Sequence, residues 1–201
     1  MLNKIKFILV NTMWASKKIA LVVVFAALTI VLNPIRIPTI YWPGFFYRLW
    51  EIPIVIAFLL FGFKISIAVG ILNVLAQIIL FPLPAGILAY PWGFVAIFVM
   101  LLGLQIGKKI NKTNQNTRKT LLILTAFGVL LRVIIMPFVD FAVYNSLLPI
   151  ALGRTFTLTY VLSLIPAIIA FNIVVPLYTI PTAYLISQKI SQNLNFNQHL
   201  T

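Results

Sequence analysis

The chain has 201 residues, of which 62% are hydrophobic and 8% charged, against roughly 25% charged residues in a soluble domain; this excludes a soluble enzyme and describes an integral membrane protein. A spanning helix takes about 20 residues, so the length holds about five to seven spans and leaves no room for a soluble catalytic domain. The net charge of +13 does not signal nucleic acid, because the cations punctuate apolar runs instead of gathering on one water-exposed face, and the lack of cysteine removes disulfides, thiol nucleophiles and iron–sulfur ligation.

The N-terminal stretch MLNKIKFILVNTMWASKK has no small-residue cleavage pattern before its second lysine cluster. Its Leu2, Ile5, Leu9, Met13 and Trp14 approach helical spacing, which predicts a short helix lying at the inner interface. Apolar runs between breakers then predict six spans, at about 18–35, 50–63, 65–81, 87–107, 120–140 and 157–188. The expected fold is an all-α integral membrane protein, a six-helix transmembrane bundle forming a single domain over residues 1–201. The second span is short, and Pro53 suits its first turn, where a missing N–H costs little. The sixth is long, and Pro166, Pro176 and Pro181 are expected to bend it.

Orientation follows from lysine. With both termini in the cytoplasm, Lys4, Lys6, Lys17, Lys18, Lys64, Lys108, Lys109, Lys112, Lys119 and Lys189 all fall inside, as the positive-inside rule requires. The departures are arginines: Arg36 and Arg48 around the first outer loop, Arg154 before the sixth span, and Arg132 within the fifth.

The chain has two acidic residues, and on this topology both reach the outer side: Glu51 at the mouth of the second span and Asp140 at the end of the fifth. Glu51 is either a helix N-terminal charge favoured by the dipole and paired with Arg48, or a ligand contact. On the third span Ser66, Gly70, Asn73 and Gln77 are spaced by four, three and four, and share one face. In lipid that face turns inward, either as interhelical glue or with Gln77, nearer the outer end, touching a ligand. Arg132 is costly at mid-span unless it meets an acid, backbone carbonyls or a polar cavity. It is the leading functional candidate, with a structural cation satisfied by backbone carbonyls or Asp140 as the competing role.

The outer loop RIPTIYWPGFFYRLW places Tyr41, Trp42, Phe45, Phe46, Tyr47 and Trp50 around a Pro-Gly turn. Interfacial aromatic belts produce such enrichment, and so does a lid that stacks on a flat ring. Tyr90 and Trp92 before the fourth span, and Tyr144 with Asn145 after the fifth, lie on the same side. A mostly apolar hollow with a few convergent polar groups is the usual form of a small-molecule site. No phosphate-binding glycine loop, metal-ligand cluster or nucleophile, base and acid set is present, so neither an enzyme nor a cofactor is expected, and the single His199 reads as a solvated tail residue. In the fourth span GLQIG, with Gly103 and Gly107, permits close helix approach.

The run EIPIVIAFLLFGFKISIAVGILNVLAQIILFP, with the NPIRIP exit from the first span and PWGFVAIFVMLLGLQIG in the fourth, resembles the substrate-binding S subunits of energy-coupling-factor (ECF) vitamin transporters. The resemblance implies a small high-affinity binder of a vitamin or vitamin precursor. Its pocket would lie near the outer face of a prokaryotic plasma membrane, with the loop between the first two spans as gate. Partners would be a transmembrane coupling subunit and a pair of ATP-hydrolysing subunits; no nucleic acid is implied. The Ala-xxx-Ala docking pattern of many such subunits has no counterpart in KKIALVVVFAALTIVLNP, where valines stand at the four-residue offsets. The expected binding residues are Trp42, Tyr47, Glu51, Asn73, Gln77, Trp92, Arg132, Asp140, Tyr144 and Asn145. The aromatics would stack on a heteroaromatic ring, flavin- or thiamine-like, and Arg132 would meet an anionic or carbonyl group. Two other functions fit the residues: a stand-alone transporter with Arg132 and Asp140 as a proton-coupled pair, and a structural membrane subunit without a ligand.

Overall fold

The computed structural model describes residues 2–39, 46–81, 86–111, 117–153 and 155–193. Helix α1 runs from Leu2 to Leu32 as one element, where the sequence predicts a separate interfacial segment followed by a span from about 18. No glycine or proline interrupts this stretch, so nothing stops the helix until the restriction that Pro34 imposes on the residue before it. A two-stranded antiparallel hairpin follows, β1 at Arg36–Pro38 and β2 at Phe46–Arg48, pairing Arg36 with Arg48, Ile37 with Tyr47 and Pro38 with Phe46. The fold is therefore helical with one small hairpin, not purely α. Three-residue strands are too short to show an alternating pattern in the sequence.

Helix α2, Glu51–Phe61, is short, yet it is the most enclosed element. Ile52, Ile54, Val55, Ile56, Ala57 and Phe58 are all buried, as expected of a helix that is apolar on every side. It packs against α7, α3 and α1. Gly62 alone joins it to α3, Phe63–Leu80. Its φ of +86° is open to glycine and strained for other residues, and its N–H closes the last turn of α2 on the Phe58 carbonyl at 2.9 Å.

Helix α4 spans Gly86–Ile110 and α5 spans Thr117–Ala142. Their close approach is made by small residues: a Cβ at Gly103 would lie 2.3 Å from the Phe127 carbonyl oxygen. A single π-helical turn, Val143–Leu147, carries α5 into α6, Leu148–Leu152, which ends at Gly153 with a left-handed φ of +63°. The fifth apolar segment is thus longer than the predicted 120–140. Helix α7, Leu158–Asn193, continues through its three prolines and packs on α5 and α2.

Four segments, Phe63–Leu80, Ala89–Ile110, Thr117–Leu152 and Leu158–Asn193, are long and apolar enough to cross a membrane on their own; Lys18–Leu32 and Glu51–Phe61 are shorter apolar helices. The chain is a multi-pass membrane protein. One pole gathers the end of α3 and the starts of α2 and α4 with the end of α5: the Tyr90 hydroxyl donates to the Phe81 carbonyl, and Trp92 Nε1 donates to Asp140. Lys64, Lys108, Lys109, Lys119 and Lys189 lie near the opposite helix ends.

Candidate functional site

Along α5 the buried positions recur every four residues, Leu124, Gly128, Arg132, Met136 and Asp140, so one stripe carries an arginine and an acid into the bundle. Arg132 is the largest fully buried side chain among the described residues. Its guanidinium forms a fork on Glu51, with Nη1 to Oε2 at 2.6 Å and Nη2 to Oε1 at 3.1 Å, and its Nε donates to Asn172 Oδ1 at 2.8 Å. The two side chains are 1% and 7% exposed. Glu51 is the first residue of α2, where the helix dipole favours an anion, and the bidentate geometry is the strongest that guanidinium and carboxylate can make.

This arrangement corrects two expectations. The partner of Glu51 is Arg132, not Arg48, and the acid that satisfies Arg132 is Glu51, not Asp140. The guanidinium is thus engaged on three of its donors without any ligand. Asp140, 4% exposed, accepts the Trp92 indole N–H on Oδ1 at 2.6 Å instead.

These residues form one wall of a cavity of about 250 Å³. Phe46, Arg48 and Trp50 close it from the hairpin and the start of α2, Trp92 and Gly93 from α4, Asp140 and Tyr144 from α5 and the π turn, and Phe171, Asn172 and Tyr178 from α7. Its mixture of aromatic rings and a few charged groups matches what small-molecule sites use. Trp92 and Tyr144 meet edge to face at 5.7 Å between centroids. The hairpin is fastened to α7 by the Tyr178 hydroxyl, which donates to the Arg48 carbonyl at 2.9 Å. Burial first, and the Arg36 cation second, hold the Arg48 guanidinium below its ordinary pKa, against the opposing pull of Tyr90 and Glu51.

Of the ten expected binding residues, Glu51, Trp92, Arg132, Asp140 and Tyr144 line the cavity. Tyr47 stands behind it, stacked on Phe171 at 5.7 Å and edge-on to Tyr178 at 6.0 Å. Asn73 is buried but faces α1, where the Thr29 hydroxyl donates to its Oδ1 at 2.8 Å. Gln77 shares that stripe and is buried away from the cavity lining. The third-helix stripe therefore turns inward, with Asn73 meeting α1, Gly70 facing Phe94 of α4, and Ser66 donating to the Phe63 carbonyl of its own helix. Asn145 is exposed, with its amide donating to the Phe141 carbonyl at 2.9 Å. Trp42 lies outside the described residues, as do Tyr41, Phe45, Arg154 and His199.

Sequence reasoning missed Asn172, Phe171 and Tyr178. The signal was present: Ile168, Asn172, Val175, Thr179 and Ala183 are all buried at spacings of three and four on α7, and Asn172 is the polar member nearest the fifth-helix arginine.

No protein-family model matches the sequence, and no curated protein matches it in sequence. Among solved structures, the S component of a bacterial ECF transporter superposes with a TM-score of 0.72 over 90% of this chain and 98% of that one, at 20% sequence identity. The chain has the fold of that ECF S component.

Proposed function

We propose that this protein is the substrate-binding subunit of an ECF-type importer, capturing a vitamin or vitamin precursor at the outer face of a prokaryotic plasma membrane. Six helices cross the bilayer in this reading, with both termini in the cytoplasm and the lysine-rich pole inside. Energy comes from a separate coupling subunit and ATP-hydrolysing subunits, and the chain itself catalyses nothing. The observation that carries the reading is the position of the cavity: an aromatic-walled hollow with four charged side chains, at the pole away from the lysines. Its residues Glu51, Trp92, Arg132, Asp140 and Tyr144 form the site, with Tyr47 supporting the hairpin behind it.

A volume of about 250 Å³ lies just below the usual range of ligand sites, about 300 to 1,000 Å³. This favours a one- or two-ring compound of thiamine size over a flavin. The test is mass spectrometry of small molecules released by denaturing the detergent-purified protein. A stoichiometric ring compound is the expected result. A protein that releases nothing and shows no thermal shift against a vitamin panel would overturn the reading.

A further inference from the structure

Of the four charged side chains on the cavity wall, two neutralise each other. Glu51 and Arg132 form the only ion pair among the described residues, and Asn172 occupies the Arg132 Nε, so this unit presents little net charge to a ligand. Asp140 and Arg48 are different. Asp140 is almost fully buried; the neutral Trp92 indole and the Asn172 amide stand beside its carboxylate, while the Arg132 cation, which it also feels, is forked on Glu51. A carboxylate has about four lone-pair sites, and an enclosed charge is destabilising until an opposite charge or several donors meet it. Asp140 therefore presents to the cavity, from α5, a carboxylate that no cation contacts directly.

Arg48 presents the opposite sign from the hairpin. Its cross-strand partner is Arg36, and like charges directly opposite one another destabilise a strand pair. The chain has only two acids: Glu51 is held by Arg132, and Asp140 is not within ion-pair distance of either hairpin arginine. An anion seated at Arg48 would relieve both the repulsion and the partial burial of that guanidinium.

We propose, resting on the binding function above, that the ligand is a small zwitterionic ring compound, with a cationic amine or amidine-type group on Asp140 and a carboxylate or phosphate on Arg48. The ring lies between them against Trp92 and Tyr144 on one side and Phe171 and Tyr178 on the other. The Glu51–Arg132 pair is a positioning element in the wall. Selectivity follows from the same charges: a compound with one charge leaves the other wall charge without its counterpart, and a neutral ring leaves both.

The test measures thermal shift and affinity for the full chain in detergent, using compounds matched on one ring: thiamine monophosphate against thiamine, and pyridoxamine phosphate against pyridoxamine, which lacks the anion, and against pyridoxine phosphate, which lacks the amine. Small molecules released from the same preparation are identified by mass. The compound that stabilises the protein, whether from the panel or released from it, is expected to carry both charges. Asp140→Asn, which keeps an acceptor for Trp92, and Arg48→Gln should each weaken it by roughly ten- to a hundredfold. In Asp140→Asn the preference for the amine-bearing member of a pair should vanish. A released ligand lacking either charge, or a singly charged compound that outcompetes its zwitterionic match, overturns this inference and leaves the binding function standing. No release and no shift with any compound overturns both. The charge preference of the unmodified protein decides the matter even where a variant fails to fold.

Discussion

Removing Glu51 while leaving Arg132 in place should be among the most damaging single changes in the molecule. In Glu51→Met the buried guanidinium loses two charge-assisted hydrogen bonds, at 2.6 and 3.1 Å, and keeps the one to Asn172. Bonds to charged groups contribute about 1.5–3 kcal/mol each, and breaking a buried pair from one side costs about 3–5 kcal/mol; the two estimates agree. At about 2–4 °C per kcal/mol for a chain of this size, the melting temperature should fall by about 6–20 °C. The double variant Glu51→Met with Arg132→Met removes both charges and leaves only Asn172 Oδ1 without its donor, at about 1–3 kcal/mol. It should melt well above the Glu51→Met single variant. The assay is intrinsic-fluorescence melting of the ligand-free protein in one detergent. A single variant that melts with the wild type, or a double variant at or below the single, would refute the assignment of a buried charge pair.

Three further outcomes are expected. Gly103→Ala places a Cβ 2.3 Å from the Phe127 carbonyl oxygen, whereas at Gly107 the nearest atoms are 3.4 Å away; overpacking should cost the first variant about 1–3 kcal/mol in the same melting assay and leave the second close to wild type. Asn145→Ala should not change ligand affinity, because the side chain is exposed and bonded to its own helix; a loss beyond about tenfold would return it to the site. Because the chain has no cysteine, single-cysteine variants report orientation directly. A membrane-impermeant maleimide should label Ile37→Cys in intact cells and Lys109→Cys only after lysis, and the reverse pattern would invert the topology.

Hydropathy made the helices legible because lipid demands long apolar runs with satisfied backbones. It left α2 ambiguous, since an eleven-residue helix is short for a span, and the structure encloses it among neighbours instead. The rule that a mid-span arginine needs a partner identified Arg132 as central. It could not say which acid would answer, because Asp140 is eight residues away on the same helix and Glu51 is 81 residues away in sequence. The same limit explains the α3 stripe. Spacing shows that Ser66, Asn73 and Gln77 share a face, but not whether that face meets Thr29 on α1 or the cavity. Asn172 was hidden by its surroundings: one amide in an apolar, proline-punctuated helix draws less notice than a charge, although it holds the third donor of Arg132 in place.

The π turn at Val143–Leu147 has a consequence for how the end of the fifth segment can vary. A π turn is one residue wider than an α turn, so it stores an extra residue without breaking the helix. Deleting one residue there would leave a continuous α-helix whose residues on either side keep nearly their present facing, because the wider turn already absorbs the extra residue. Tyr144 stands inside this turn on the cavity wall, so a length change of a single residue here would exchange which side chain faces the ligand while the bundle below stayed as it is.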